Sequence, residues 1–532
     1  MSGLWTVSSA AAVGVPWLER AIAPATEFGR RYNAQHAPYR PGDESLALAA
    51  IVRIQAVAQR ISADTLDALH AKISRTPDPA EAVARARADE PLNDAELFDL
   101  TGFLDIVAEV RALGEAIVMP EIELPPLPVE LREVLATGRT AAGTFYLDDR
   151  FDPALAAARA DAAGARAAYD VLRSRLLERI GRYANVERVH DGGFILMREQ
   201  MHGPLPPEVR VVREAATYLL CEVALDEAAL EALRACEDAD RRVVEIEERL
   251  RIGLGGAVRA AQRELEGGIA ALGALDAFLA RVRFAQRYET VVPEIVDVPE
   301  IAFVEGRYLP LAAALSEHDR TYLPISLALQ GIGVITGPNM GGKTAALRTC
   351  GFLGACLSFG LPVPAQSARL ALFDEIAWLG SEAARHDESL LSSFGSEVVA
   401  LREFFERGAR APLVLIDEFA RTTTPHEARA LLIGLLESLR ERNACALAAT
   451  HLGAIAGALD AAHYAIVGLQ KLQPLDEHRA LRLDEALTRI SAAMDYRIRR
   501  VDGETVPQAD AMALAAALGL DAELLARARR HL

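Results

Sequence analysis

Hydrophobic positions recur at threes and fours through the first half of the chain and as short unbroken runs through much of the second. The pattern predicts a helical region followed by an α/β domain. Residues 46–61 and 95–117 carry the helical period, whereas prolines at 120, 125, 126 and 128 make the stretch from 119 to 128 an extended linker. Residues 152–183 read as one helix. A longer pattern from 226 to about 288 places Val243, Ile246, Leu250, Leu254, Val258, Leu265, Leu272 and Leu279 on one face. Unbroken, it would extend on the order of 90 Å, with bends expected at Gly253, Gly255, Gly256, Gly267 and Gly268. Two long helices around a short segment describe an antiparallel lever with something at its tip, or an ordinary helical bundle. Alternating runs at 193–197 and 209–212 predict a small β element in the tip, residues 184–217. From about 301 to 467 strands and helices alternate, which predicts a mainly parallel sheet with helices on both faces. One or two helices are expected from 510 to 532. The expected organisation is a helical region with a Pro-rich linker (1–128), a core with lever helices (129–300) and a nucleotide-binding domain with C-terminal helices (301–532).

The 532 residues suffice for three or four domains with separate cores. Fifty-seven basic against seventy-five acidic residues give a net charge of -18, the wrong sign for a protein that mainly coats nucleic acid. The lever tip follows suit, with Arg188, Arg198, Arg210 and Arg213 set against Glu187, Asp191, Glu199, Glu208 and Glu214. Five scattered cysteines without a C-x-x-C pair predict reduced, mostly buried thiols and a cytoplasmic protein. The N-terminus has no positive residue before its apolar part, so it reads as structural and not as a signal peptide. No apolar run approaches the ~18 residues of a transmembrane helix.

The chemistry concentrates in GPNMGGKT, Gly337 to Thr344, which satisfies the P-loop pattern with Gly337, Gly342, Lys343 and Thr344. An apolar run, residues 333–336, precedes it, and a helical pattern, 345–357, follows. Glycines let consecutive N–H groups face phosphate oxygens, and the helix adds the positive end of its dipole. Lys343 would reach the β- and γ-phosphates and Thr344 would hold Mg²⁺. Lysine occurs only at 72, 343 and 471, so a chance match should arise in about one of a thousand such chains.

Two further apolar runs end in chemistry. Residues 413–416 lead into Asp417 and Glu418, and 445–449 into Thr450 and His451. A carboxylate closing a buried strand is costly unless it meets a cation, and Mg²⁺ near Thr344 is the obvious one. Glu418 could orient or deprotonate the attacking water. Two acids after a strand also commonly carry it into solvent; the P-loop favours the catalytic reading. His451 could hydrogen-bond the γ-phosphate or the water. Ser392, in LLSSFGSE, has no local reason to be catalytic; it precedes a helix expected from about 397 to 405.

In this order these pieces resemble the MutS family of mismatch-repair ATPases, of the ABC ATPase class. ITGPNMGGKT with LRT is very close to the family's Walker A segment, and VPAQ (363–366), SSFGSE (392–397), LVLIDEFARTTT (413–424) and ATH (449–451) fall where its later motifs would. The resemblance implies that Gly337, Pro338, Asn339, Met340, Gly341, Gly342, Lys343 and Thr344 bind ATP and magnesium. It further implies that Asp417 serves the metal, Glu418 the hydrolytic water, and His451 a switch. Ser392 would reach the γ-phosphate of a partner subunit, which implies a homodimer with composite ATP sites, and Tyr322 stands where an aromatic stacks on adenine. Ala420 and Thr422 replace glycines of the family's Gly-Arg-Gly-Thr loop, so that loop is expected to differ. The mismatch-reading domain is not recognisable, the clamp at the tip is reduced, and no nuclease domain is expected after the tail. The resemblance implies an ATPase acting on double-stranded or branched DNA. Its alternative is a remodelling ATPase acting on a protein client such as a cobalamin-dependent aminomutase.

Overall fold

Alanines and arginines with no β-branched run and no internal proline let residues 153–184 form one helix, Pro153–Ala184. Asp152 opens it by accepting the Ala154 N–H at 2.8 Å, and Asn185 closes it in the left-handed region at φ 50. Its antiparallel partner, Glu227–Ala260, is capped by Asp226, which accepts the Ala229 N–H at 2.9 Å. The two pack along one another, tied by Arg159 to Glu247 (2.8 Å) and by Arg166 to Asp240 (3.2 Å). These are the two long helices expected on either side of the tip. The computed structural model describes residues 3–117, 121–140, 143–185, 193–201, 203–338, 342–380, 393–469, 494–501, 512, 515–516 and 520–531.

The returning pattern is not one helix to residue 288. It breaks once, at Ala261, and resumes as Gln262–Arg287. All five glycines expected to bend it lie inside these two helices. At Gly268 a Cβ would stand 3.3 Å from the Pro126 carbonyl oxygen, so that glycine admits the proline-rich segment.

The tip holds strands β1 (Phe194–Met197), β2 (Val209–Glu214) and β3 (Tyr218–Val223), antiparallel in the order β1-β3-β2. β3 was not expected. Phe194, Leu196, Leu219 and Cys221 pack on Leu176, Ile180 and Ala184, while Ile195, Met197 and Leu220 are exposed on the other face.

The chain divides into two compact units. One comprises Arg75–Leu113 with Leu124–Ala271; the other comprises Met1–Ser74, Gly114–Glu123 and Leu272–Leu532. The second unit carries strands β4 (Glu294–Val296), β5 (Glu300–Gly306), β6 (Ile325–Gln330), β7 (Ile332–Thr336), β8 (Ser367–Ala371), β9 (Ile376–Gly380), β10 (Leu413–Asp417), β11 (Cys445–Ala449), β12 (Ala462–Leu469) and β13 (Met494–Arg500). Six of these described strands make a sheet in the order β13-β12-β7-β11-β10-β9, parallel except for β13. The others form a separate sheet, β4-β8-β5-β6, in which β5 runs antiparallel to both neighbours.

The predicted mainly parallel sheet is present, and side-chain alternation builds its two cores. Ile335, Leu413, Leu415 and Leu447 face the helix Lys343–Ser358, whereas Val334, Val414, Ile416 and Ala448 face Pro425–Glu441 and Phe404 of Ser393–Arg407. The chain's first residues seal the free edge of β9: the Ile376 N–H donates to the Leu4 carbonyl at 2.7 Å and the Trp378 N–H to Ser9 Oγ at 3.0 Å. All five cysteines are buried and unpaired. No single described helix is long and apolar enough to cross a membrane.

Candidate active site

β7, β10 and β11 run side by side with buried apolar residues at nearly every position, so their carboxyl ends deliver three loops to one edge of the sheet. β7 ends at Thr336 and enters the P-loop. Gly342, at φ 98, starts the helix Lys343–Ser358 in a left-handed conformation. Asn339, Met340 and Gly341 lie outside the described residues, as does Ser392.

The acids at the end of β10 meet this loop. Thr344 Oγ1 donates to the Asp417 carboxylate, at 3.0 Å from Oδ2 and 3.2 Å from Oδ1. Lys343, buried at 5% side-chain exposure, donates from Nζ to the carbonyls of Gly337 (2.8 Å) and Pro338 (3.1 Å) and stands 3.9 Å from Glu418 Oε1. Burial pushes its ammonium below the ordinary lysine range, against the pull of the Glu418 and Asp417 carboxylates. The second Glu418 oxygen lies 3.3 Å from Arg421 Nη1, so that carboxylate sits between two cations.

Thr450, buried after β11, donates its N–H to the Ile335 carbonyl of β7 at 3.1 Å and accepts the Leu452 N–H on Oγ1 at 3.0 Å. This turn places His451 at the same edge, exposed, with no hydrogen bond to Lys343, Thr344, Asp417 or Glu418 among the described residues. Tyr322 precedes β6, and its hydroxyl accepts the Tyr308 N–H at 3.0 Å; it makes no described hydrogen bond to the P-loop. Among the described residues, the Tyr496 ring of β13 lies near the P-loop, its Cδ1 3.3 Å from where a Cβ on Gly342 would stand.

Sequence reasoning missed the parts played by four further residues at this edge. His463 Nε2 and Thr336 Oγ1 share a buried hydrogen bond of 2.9 Å directly beneath the P-loop. Glu397 accepts the Ala420 N–H at 2.8 Å. Gly380 ends β9 opposite Asp417, and at φ 143 a Cβ on it would lie 2.2 Å from the Asp417 carbonyl oxygen. The only sequence signal for Gly380 is a glycine closing an apolar run, IAWLG. Gly380→Ala is expected to cost about 1–3 kcal/mol of stability through overpacking, read from a thermal melt, and to depress ATP turnover by displacing Asp417.

The loop after the acid pair keeps a conformation that glycine favours even though alanine occupies it. Ala420 has φ 59 and Glu418 φ 50, while Thr422 is not in the left-handed region.

Residues 333–518 match the family model described as MutS domain V. Among similar proteins, those named Endonuclease MutS2 from Streptococcus sanguinis and Listeria monocytogenes align over 182 residues at 37% and 34% identity, covering 34% of this chain and 22% of each relative. The Endonuclease MutS2 of Enterococcus faecalis aligns over 366 residues at 30% identity, covering 66% of this chain and 44% of the relative. The chain spans less than half the length of these curated relatives. A P-loop and an acid pair joined in one cleft, inside residues matched to MutS domain V, identify residues 333–518 as an ATP-binding ATPase domain of the MutS domain V family.

Proposed function

We propose that this chain is a Mg²⁺-dependent, cytoplasmic ATPase that acts as a homodimer and couples its nucleotide state to lever helices that hold double-stranded or branched DNA. The observation that carries the site reading is the meeting of Thr344 with Asp417, and of Lys343 with Glu418, across a single cleft.

Two hard oxygen donors, the Thr344 hydroxyl and Asp417 Oδ2, stand 3.0 Å apart. Neighbouring oxygens around Mg²⁺ have a similar spacing when each lies about 2.0–2.1 Å from the ion. The pair fits that ion, and Thr344 and Asp417 would hold it. Mg²⁺, when bound, supplies positive charge to the β- and γ-phosphate oxygens. Lys343 exchanges the Gly337 and Pro338 carbonyls for those phosphates, which satisfy a buried ammonium better than neutral oxygens do. Glu418 orients a water for in-line attack and accepts its proton at the carboxylate as the bond between the γ-phosphorus and the bridging oxygen breaks. His451, at the edge of the same cleft, would hydrogen-bond the γ-phosphate or the water. Tyr322 is proposed at the adenine. Ser392 is proposed to complete the site of a second protomer.

The printed name of the relatives, Endonuclease MutS2, supports DNA as the partner. A protein client is favoured by one observation: the outer face of the tip sheet exposes Ile195, Met197 and Leu220, and Arg198 there is neutralised by Glu214. Equilibrium binding to duplex and branched DNA over a salt series, with ATP turnover in Mg²⁺ and in excess chelator, tests the proposal. The expected result is binding that weakens steeply with salt and turnover that stops without Mg²⁺. Absence of binding at low salt, with and without ATP, overturns the DNA reading in favour of a protein client. Turnover that survives chelation overturns the metal reading.

A further inference from the structure

Glu397 stands in the first turns of the helix Ser393–Arg407 and is 3% exposed. Its Oε2 accepts the Ala420 N–H at 2.8 Å, whereas Oε1 is buried with no hydrogen-bond partner among the described residues. A carboxyl group placed this way gives up most of its hydration for one bond, an arrangement that folding alone does not favour. Burial pushes its pKa above the usual carboxylate range, and the Ala420 N–H pulls the other way.

The backbone it grips is sterically disfavoured. Glu418 and Ala420 both occupy the left-handed region, at φ 50 and φ 59, and neither is glycine. Such a segment persists only where its surroundings hold it. Three described hydrogen bonds do so: the Glu418 N–H to the Ala449 carbonyl (3.0 Å), the Thr423 N–H to the Ala420 carbonyl (3.1 Å), and the Ala420 N–H to Glu397. The first two are backbone to backbone. Only the third comes from a side chain, and from a helix that belongs to neither β10 nor β11. Ala420 itself is fully buried beside Phe419, so the segment cannot relax outward without opening that core.

The direction in which the Glu418 side chain leaves the end of β10 is set by this backbone, and that direction puts Oε1 3.9 Å from Lys343 Nζ. We propose that Glu397 is a positioning residue for ATP hydrolysis: by holding the Ala420 N–H it fixes the backbone from Glu418 to Ala420 and so aims the Glu418 carboxylate into the nucleotide cleft. The proposal rests on the reading of Glu418 as the group that activates water.

The test compares Glu397→Met, which fills the same space without an acceptor, with Glu397→Gln, which keeps a carbonyl oxygen for Ala420. Glu418→Gln is measured alongside in the full chain. Steady-state ATP turnover, affinity for a fluorescent ATP analogue and thermal melts are recorded for all three. Glu397→Met is expected to lower kcat by about 10–100-fold, the scale of a misplaced catalytic group, with analogue affinity unchanged. Glu397→Gln is expected to restore most of the loss. Wild-type kcat in Glu397→Met, with Glu418→Gln inactive, overturns the positioning role alone. Parallel loss of kcat and affinity in Glu397→Met, or failure of Glu397→Gln to restore kcat, also overturns it and leaves Glu397 a structural residue. Wild-type turnover in Glu418→Gln removes the reading on which the proposal stands.

Discussion

Replacing Glu418 with glutamine is expected to lower ATP turnover by about 10²–10⁴-fold, the usual contribution of a positioned general base, while ATP binding is retained. The amide has the volume of the carboxylate and can still accept from Arg421, so the loop keeps its packing. It lacks the basicity to take a proton from water. The binding groups are elsewhere: the P-loop backbone, the Lys343 ammonium and the Thr344 hydroxyl are untouched by the change. Loss of the carboxylate 3.9 Å from Nζ removes one attraction from an ammonium that keeps its two carbonyl partners. Single-turnover hydrolysis and a nucleotide titration separate the two effects. Turnover near the wild-type rate would take the base role away from Glu418, and loss of binding along with turnover would make it a strut of the cleft.

What the sequence disclosed follows how local each signal is. β7, β10 and β11 were legible because a buried parallel strand is an unbroken apolar run, and IGVIT, LVLID and CALAA are such runs. The same reasoning found the ends of those strands, and with them Asp417 and Glu418, while the P-loop spacing marked Lys343 and Thr344. The alternating strand β3 was hidden because only Ala224 and Leu225 separate YLLCEV from the capping Asp226 of a helix, and it has no turn signal of its own beyond Ala215–Thr217. The break at Ala261 could not be read, since nothing in its composition separates it from the alanines around it, while two of the glycines that looked like bends, Gly267 and Gly268, lie against Pro126.

Residues whose role comes from a distant partner were out of reach altogether. Glu397 lies 23 positions from Ala420, and Thr336 lies 127 from His463. Neither pairing leaves a periodicity, and the SSFGSE stretch that ends in Glu397 does not reveal its partner. The same holds for Leu4 and Ser9, which seal β9 from the far end of the chain. Tyr322, placed by resemblance, is described with its hydroxyl engaged by Tyr308, while Tyr496, which no motif marks, lies on the P-loop glycine.

Lys343→Met is expected to abolish measurable ATP turnover, a loss of at least about 10²-fold, without lowering the stability of the nucleotide-free protein. Function and folding pull apart at this position. The ammonium is almost fully buried, its contacts include two neutral carbonyls and a carboxylate at 3.9 Å, and burial outweighs the pull of the Glu418 and Asp417 carboxylates. Methionine fills the same space with no charge to desolvate. The sign of the pH dependence follows. The folded pKa of Lys343 is lowered from 10.5, so between that lowered value and 10.5 the unfolded chain binds more protons than the folded one. Wild-type stability therefore gains, relative to Lys343→Met, as pH rises through this window, and below it the penalty on the wild type is complete. Urea melts of both proteins across alkaline pH isolate the contribution of this one lysine, because the other titrating groups are shared. A variant that melts lower than wild type at neutral pH, with no convergence toward alkaline pH, would mean that the ammonium stabilises the empty loop, and Lys343 would then be a structural tether as much as a phosphate ligand.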